Sequence, residues 1–300
     1  MANTFIPSLP RLLLTGTVLC LLSIGLAACG GNNDTPTTSG SGPSKTLTIK
    51  GSDTMVHLLS IWAEQYMKVH PDAEISVTGG GSGTGFAALI NGTTDICAAS
   101  RGIKPEEIKR AGSNNIFPEE ISVARDAIVV VVNPGNPLDT LAISQLGALF
   151  DGTADRWTKV GGPDKPVLVL SRESSSGTYV FFQEEVLSKA DYSYRARLMP
   201  GTSAVVQAVA VDRWSVGYVG LGYAMESINE IKMLNVARTI GEQGIAPSEA
   251  TVRDDTYPIS RALFFYVNGN PTGLAAEFIE FCLSPPGQQI VRETGYVAVH

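Results

Sequence analysis

Three stretches of the 300-residue chain carry the residue types that hold a small oxyanion. They are Gly51-Ser52-Asp53-Thr54-Met55, Gly79-Gly80-Gly81-Ser82-Gly83-Thr84-Gly85 and Arg172-Glu173-Ser174-Ser175-Ser176-Gly177-Thr178. Each is built almost wholly of glycine and hydroxyl residues. At the start of a helix, such a turn aims free backbone N–H groups and hydroxyls at one spot, at the positive end of the helix dipole. A single turn of this kind is an ordinary N-cap. Three in one chain, one edged by an arginine, point to a shared socket.

The candidate donors follow from the three turns. The first offers the Thr54 hydroxyl and the N–H groups of Thr54 and Met55. In the second, Ser82 sits among Gly79, Gly80, Gly81 and Gly83, where missing side chains let backbone approach a ligand or supply positive φ. The third has Arg172 at the end of an apolar run, then Ser176, Gly177 and Thr178 at a helix start. Arg101 follows Ala98-Ala99-Ser100 in the same way, and a guanidinium there either forks onto an oxyanion or pairs with a nearby carboxylate. Asp53 is either a plain N-cap or the acceptor for a proton on the bound anion.

Other chemistries find little support. The second turn is neither GxGxxG nor GxxxxGK[ST], which leaves nucleotide binding without its motif. A nucleophilic Ser82 or Ser176 needs a positioned base, but there is no GxSxG and no histidine in any of the three turns. His57, His70 and His300 are scattered and form no metal-ligand pattern, and no cofactor is implied.

The elements that must position these turns are legible in the hydrophobic pattern. Strand-like runs precede each turn at Leu47–Ile49, Glu74–Val77 and Val167–Leu170. The apolar spacing of Met55, Leu58, Leu59, Trp62, Tyr66 and Val69 predicts a helix over about 53–70, stopped by Pro71. Further helices are expected near 84–91, 105–111, 144–150, 177–189, 203–212, 274–283 and 287–294, and strands near 95–100, 122–133, 216–220 and 258–267. The run Ala127–Val132 is the strongest strand signal and suits a central strand covered on both faces. Alternation of strands and helices predicts an α/β protein with mixed, mostly parallel sheets and helices on both faces. Ligand sites in such sheets lie at carboxyl ends of strands, where the three turns fall.

The fragments Gly-Ser-Asp-Thr, Gly-Gly-Gly-Ser-Gly-Thr-Gly, Ala-Ser-Arg, Arg-Glu-Ser-Ser-Ser-Gly-Thr and Gly217-Tyr218-Val219-Gly220-Leu221-Gly222-Tyr223 occur in that order. Over about residues 46–300 they resemble the periplasmic phosphate-binding proteins of ABC-type phosphate transporters. The resemblance implies a two-lobed, type II binding-protein fold with phosphate in the cleft between lobes. It implies lobe 1 as 46–125 with 258–300, lobe 2 as 126–257, and two crossing strands between them. Thr54, Met55, Ser82 and Arg101 would come from lobe 1, and Arg172, Ser176, Gly177 and Thr178 from lobe 2. It also implies inorganic phosphate and ABC permease subunits as partners of a monomeric non-enzyme. Some members carry an aspartate where this chain has Arg101, and that carboxylate accepts the proton of bound hydrogen phosphate. Here the acceptor must come from elsewhere, with Asp53 and Glu173 as candidates. Sulfate or molybdate stands as the alternative ligand, and phosphate sensing by a surface lipoprotein as the alternative role.

The N-terminus reads as an export signal. Arg11 is the only charge before Asp34, and the apolar run Leu12–Ala27 ends in Leu26-Ala27-Ala28-Cys29. This resembles a lipoprotein signal peptide over 1–28, with Cys29 as the lipidated residue anchoring the chain to a membrane at the periplasm or outer cell surface. Residues 29–45 have the composition of a flexible tether. The whole chain carries 22 basic and 29 acidic residues, net −7. Without Arg11 that becomes 21 against 29, net −8, which argues against nucleic acid as a partner. Cys97 and Cys282, each inside an apolar run, are expected as buried free thiols, although an exported protein could oxidise them if they touch.

Overall fold

The computed structural model describes residues 45–299. The expected signal over 1–28, Cys29 and nearly all of the tether lie outside the described residues. The exception is Lys45, assigned to the tether from sequence but found as the first residue of a strand. It is paired with Ala73, and its N–H donates to Asp72 O at 2.9 Å.

The chain runs β1 (Lys45–Gly51), a 3-10 turn (Asp53–Met55), α1 (Val56–Val69), β2 (Ala73–Thr78), α2 (Ser82–Ile90), β3 (Ile96–Ala99) and α3 (Pro105–Ser113). The long β4 (Pro118–Val132) follows, then β5 (Thr140–Ala142), α4 (Ile143–Asp151), β6 (Leu168–Arg172), α5 (Gly177–Glu185), β7 (Arg197–Met199) and α6 (Thr202–Val211). Last come β8 (Ser215–Gly220), α7 (Leu221–Glu226), β9 (Lys232–Met233), β10 (Asn235–Ala237), α8 (Glu249–Arg253), β11 (Ser260–Asn268), α9 (Gly273–Leu283) and α10 (Pro285–Glu293).

The main sheet has the order β2-β1-β3-β11-β4-β8-β6-β7, with β9 also on β4. The outer pairs β1–β2, β1–β3, β6–β8 and β6–β7 are parallel, as is the separate pair β5–β10. The pairs around the middle, β3–β11, β11–β4, β4–β8 and β4–β9, are antiparallel. The sheet is therefore mixed, and its antiparallel part is concentrated where one strand serves two neighbourhoods. Residues Pro118–Ala127 of β4 pair with β11, and Ile128–Val132 pair with β8. The apolar run at the end of β4 is fully buried.

Two large hydrophobic cores lie along that strand. One gathers Ile49, Leu58, Trp62, Phe265 and Phe278 around β1, β11, α1 and α9. The other gathers Ile128–Val132 with Phe150, Trp157, Phe182, Val205 and Tyr218 around β4, β8, α4 and α5. Phe86, Cys97 and Tyr266 form a third, smaller cluster. Cys97 and Cys282 are both buried and unbridged.

Helix α5 stops at Glu185, four residues short of its expected end. Ser188 and Lys189 take φ of 50° and 70°, which ends any helix. Among the described residues no helix is long and apolar enough to cross a membrane, and no group of His, Cys, Asp or Glu is arranged to hold a metal.

Candidate functional site

The first turn leaves β1 at Gly51. Ser52 N–H donates to Ala98 O at 2.7 Å, which ties the turn to the end of β3. Thr54 is buried, and its carbonyl accepts from the Tyr296 hydroxyl at 2.5 Å. Its Oγ1 lies 2.8 Å from Thr178 Oγ1 of the third turn. Met55 has no exposed surface and packs in the core of α1; its N–H donates to Ser52 O at 3.0 Å.

The second turn reaches the same place. Gly81 N–H donates to Gly51 O at 2.8 Å. The residue has φ +102°, and a Cβ there would sit 2.5 Å from Ser175 O. Two separate constraints thus require glycine at this position. Fully buried Ser82 accepts from Ser100 N–H at 3.0 Å, and the hydroxyl of Ser100 accepts from Ser52 Oγ at 2.9 Å. Gly83 N–H donates to Ser175 O at 2.9 Å, and Ser175 Oγ donates to Gly80 O at 3.2 Å. The second and third turns are therefore in direct contact.

The third turn follows β6. Ser176 is the N-cap of α5, and its side chain accepts from Tyr179 N–H at 3.3 Å. The N–H groups of Gly177 and Thr178 are the first of that helix and have no partner within it. The Arg172 guanidinium is 3% exposed. It donates from Nη1 to Thr202 Oγ1 at 2.9 Å, and its Nη2 lies 3.3 Å from Asp53 Oδ2. Its Nε has no hydrogen-bond partner. Burial pulls the Arg172 pKa down, while Asp53 works in the other direction. A buried guanidinium with an unspent donor is what a charged oxyanion would satisfy.

Arg101 is placed differently. Its Nη1 donates to Glu107 Oε2 at 2.8 Å and its Nη2 to Glu107 Oε1 at 2.7 Å, with a third bond from Nη1 to Gly102 O at 2.9 Å. This is the ion-pair alternative left open by the sequence, and it takes most of the guanidinium's donors; only Nε is without a partner. Asp53 is not the cap of its own helix. Its Oδ2 accepts from Thr202 N–H, the first residue of α6, at 2.7 Å. The Glu173 carbonyl accepts from Ser176 N–H at 2.9 Å, which closes the third turn.

Of the eight expected residues, Thr54, Ser82, Arg172, Ser176, Gly177 and Thr178 are brought together. Met55 contributes the turn's own backbone, and Arg101 lies behind Gly83, where a Cβ would be 3.8 Å from its Nη2. Sequence reasoning missed Thr202, Asp126 and Arg261. Arg261 Nη2 donates to Thr178 Oγ1 at 3.0 Å and to Asp126 Oδ2 at 2.9 Å. For Asp126 and Arg261 the available signal was Arg261 as the only charge in the largely apolar stretch Ser260–Asn268, and Asp126 directly before Ala127–Val132, since a charge buried in such strands is costly unless it is paired.

A family model for the PBP superfamily domain matches residues 36–286. The chain is 34% identical to the phosphate-binding protein PstS of Pseudomonas aeruginosa over 274 residues, 86% of this chain and 84% of that protein. It is equally identical to PstS of Staphylococcus aureus over 295 residues, 94% and 86% of the two chains. Among solved structures it is similar to one with bound phosphate, assigned to a phosphate ABC transporter substrate-binding protein of Clostridium perfringens. The TM-score is 0.77 at 27% identity, covering 85% of this chain and all of that one. A second, an ABC-type phosphate transport receptor from Vibrio cholerae, gives 0.68 at 26% identity, covering 84% and 99%.

Proposed function

We propose, because this chain belongs to the phosphate-binding proteins of ABC-type phosphate transporters within the PBP superfamily, that it captures inorganic phosphate outside the cytoplasm and delivers it to an ABC permease. The observation that carries this reading is the meeting of the three hydroxyl-and-amide turns beside buried Arg172. Thr54, Ser82, Ser176 and Thr178 supply hydroxyls, Gly177 and Thr178 supply helix-start N–H groups, and Met55 shapes the first turn. Arg172 supplies the charge. Arg101 acts one layer back, holding the second turn through Glu107.

In this reading the lobes are 46–125 with 258–300 and 126–257, and closing them removes water from the anion. Each charge-assisted bond is stronger once desolvated. The chain is a monomer held to the membrane by lipid on Cys29, and it binds phosphate without turning it over. Neither Ser82 nor Ser176 has a histidine or carboxylate base among its hydrogen-bond partners, which supports binding over hydrolysis.

Calorimetry with inorganic phosphate tests the proposal, with sulfate and molybdate as competitors at two pH values. Saturable 1:1 uptake of phosphate that sulfate does not displace is the expected result. Preference for sulfate would replace the ligand, and absence of any oxyanion binding would end the reading.

A further inference from the structure

We propose that Arg261 is a positioning residue for the anion site, which fixes Thr178 as the donor to Thr54 and so sets the Thr54 hydroxyl as a donor toward the ligand. The inference rests on the phosphate-binding reading and concerns a residue outside the three turns.

Arg261 on β11 stands opposite Asp126 on β4, in register across the two strands that run between the cores. The two side chains are 1% and 0% exposed. The guanidinium is held from several sides. Its Nε and Nη2 donate to Asp126 Oδ2 at 3.3 and 2.9 Å, its Nη1 donates to Ser100 O at 2.9 Å, and its Nη2 also donates to Thr178 Oγ1 at 3.0 Å. The Phe181 ring covers it at 5.8 Å. Asp126 is itself fixed, since its Oδ1 accepts from Leu221 N–H at the start of α7 at 2.9 Å.

An arginine has only donors, and a threonine hydroxyl has a single hydrogen. Thr178 Oγ1 therefore accepts from Arg261, and its own hydrogen must point elsewhere. Thr54 Oγ1, at 2.8 Å, is the acceptor on that side. Thr54 then has its hydrogen directed onward. A charged donor behind a hydroxyl polarises it and strengthens its own donation, all the more where the dielectric is low. Asp126 cancels the charge of Arg261, so the arginine contributes direction and polarisation and little net field. Arg172, by contrast, has no carboxylate forked onto it: Asp53 reaches it through one oxygen at 3.3 Å, and its Nε is unbonded. In this proposal the two buried arginines divide the work, Arg172 attracting the anion and Arg261 aiming, through Thr178, the Thr54 hydroxyl that receives it.

The test is a double-mutant cycle read by calorimetry with inorganic phosphate on the wild type, Arg261→Lys, Thr178→Val and the double variant. Lysine keeps a positive charge opposite Asp126 but cannot fork onto three acceptors. Arg261→Lys is expected to weaken phosphate binding at least about 10-fold in the wild-type background, and less than about twofold where Thr178 is already valine. Equal losses in both backgrounds, or no loss in the first, would overturn the role of Arg261. A wild type that takes up no phosphate would instead overturn the reading of the site. Should the lysine variant lack a cooperative melt, 15N spectra of the Arg261 guanidinium decide the matter in chains that keep the arginine. A phosphate-induced shift of its Nη signals that vanishes in Thr178→Val supports the inference, and one that persists unchanged refutes it.

Discussion

The hydroxyls of Thr54 and Thr178 meet at 2.8 Å although 124 residues separate them in the chain. Each stands at the entry to its own helix, and the two helices belong to different hydrophobic cores. In the proposed two-lobe reading this contact forms only when the two cores approach each other, which would couple the site to closure. Valine keeps the shape of threonine and deletes the hydroxyl. Thr54→Val removes the hydroxyl aimed at the ligand and Thr178→Val the one that orients it, and each is expected to weaken phosphate binding by about 1.5–3 kcal/mol, roughly 10- to 150-fold. Calorimetry reads the loss. Unchanged affinity in both variants would remove these hydroxyls from the site.

Arg172 and Arg101 share a local sequence setting, an arginine just past a buried strand, yet the structure spends them differently. Both leave Nε unbonded, but the terminal nitrogens of Arg172 meet the Thr202 hydroxyl and, at 3.3 Å, one oxygen of Asp53, whereas those of Arg101 fork onto both oxygens of buried Glu107. Arg172→Ala should cost phosphate binding at least roughly 2 kcal/mol. Arg101→Ala strands a buried carboxylate and should cost about 3–5 kcal/mol of folding stability. Urea titration alongside calorimetry separates the two effects. A stability loss confined to Arg172→Ala, with the affinity loss confined to Arg101→Ala, would reverse the assignment.

Much of this arrangement was legible in local chemistry. Glycine and hydroxyl turns after apolar runs mark helix entries, and the run Ala127–Val132 marks the buried half of β4. The four residues Pro118–Ile121, ahead of the strand expected from 122, carry no apolar run and pair with β11. The two- and three-residue strands β7, β9 and β10 have too few positions to show a period. Partners distant in sequence were the other blind spot. Asp126 and Arg261 are 135 residues apart, and Asp53 caps a helix that starts 149 residues later. Glu107 was closer to hand: it sits six residues past Arg101, and its carboxylate also accepts from Lys104 N–H at 2.9 Å.

Gly177 offers a test of closure that leaves each core untouched. Its φ is not in the left-handed region, so alanine suits its backbone at the helix start. The obstacle lies across the gap, where a Cβ would come within 2.3 Å of Ser82 Oγ and 2.6 Å of Ser100 Oγ. Overpacking of this kind costs about 1–3 kcal/mol, so Gly177→Ala should lower phosphate affinity roughly 5- to 150-fold. Its melting temperature without phosphate should be close to wild type or higher, because the strain falls on the closed arrangement. Small-angle scattering should show compaction on adding phosphate to the wild type and less of it in the variant. Full compaction with wild-type affinity would mean that the two turns do not need this close approach.

The Arg101–Glu107 pair also predicts how the protein answers acid. Burial alone would raise the Glu107 carboxyl, but the bonds from Arg101 and from Lys104 N–H outweigh it and hold the pKa below its ordinary value of 4.5. A carboxyl depressed in the folded state binds fewer protons there than in the unfolded chain. Its contribution is therefore complete above the unfolded value and disappears as pH falls through the folded one. Asp126, whose carboxyl burial pushes up against the pull of Arg261, contributes with the opposite sign. Only a difference between two proteins isolates Glu107. The gap in urea midpoint between wild type and Glu107→Gln should be widest at about pH 6–7 and narrow steadily toward about pH 3. A gap that widens on acidification would mean that the carboxyl is raised in the fold, and that Arg101 does not hold it as an ion pair in solution.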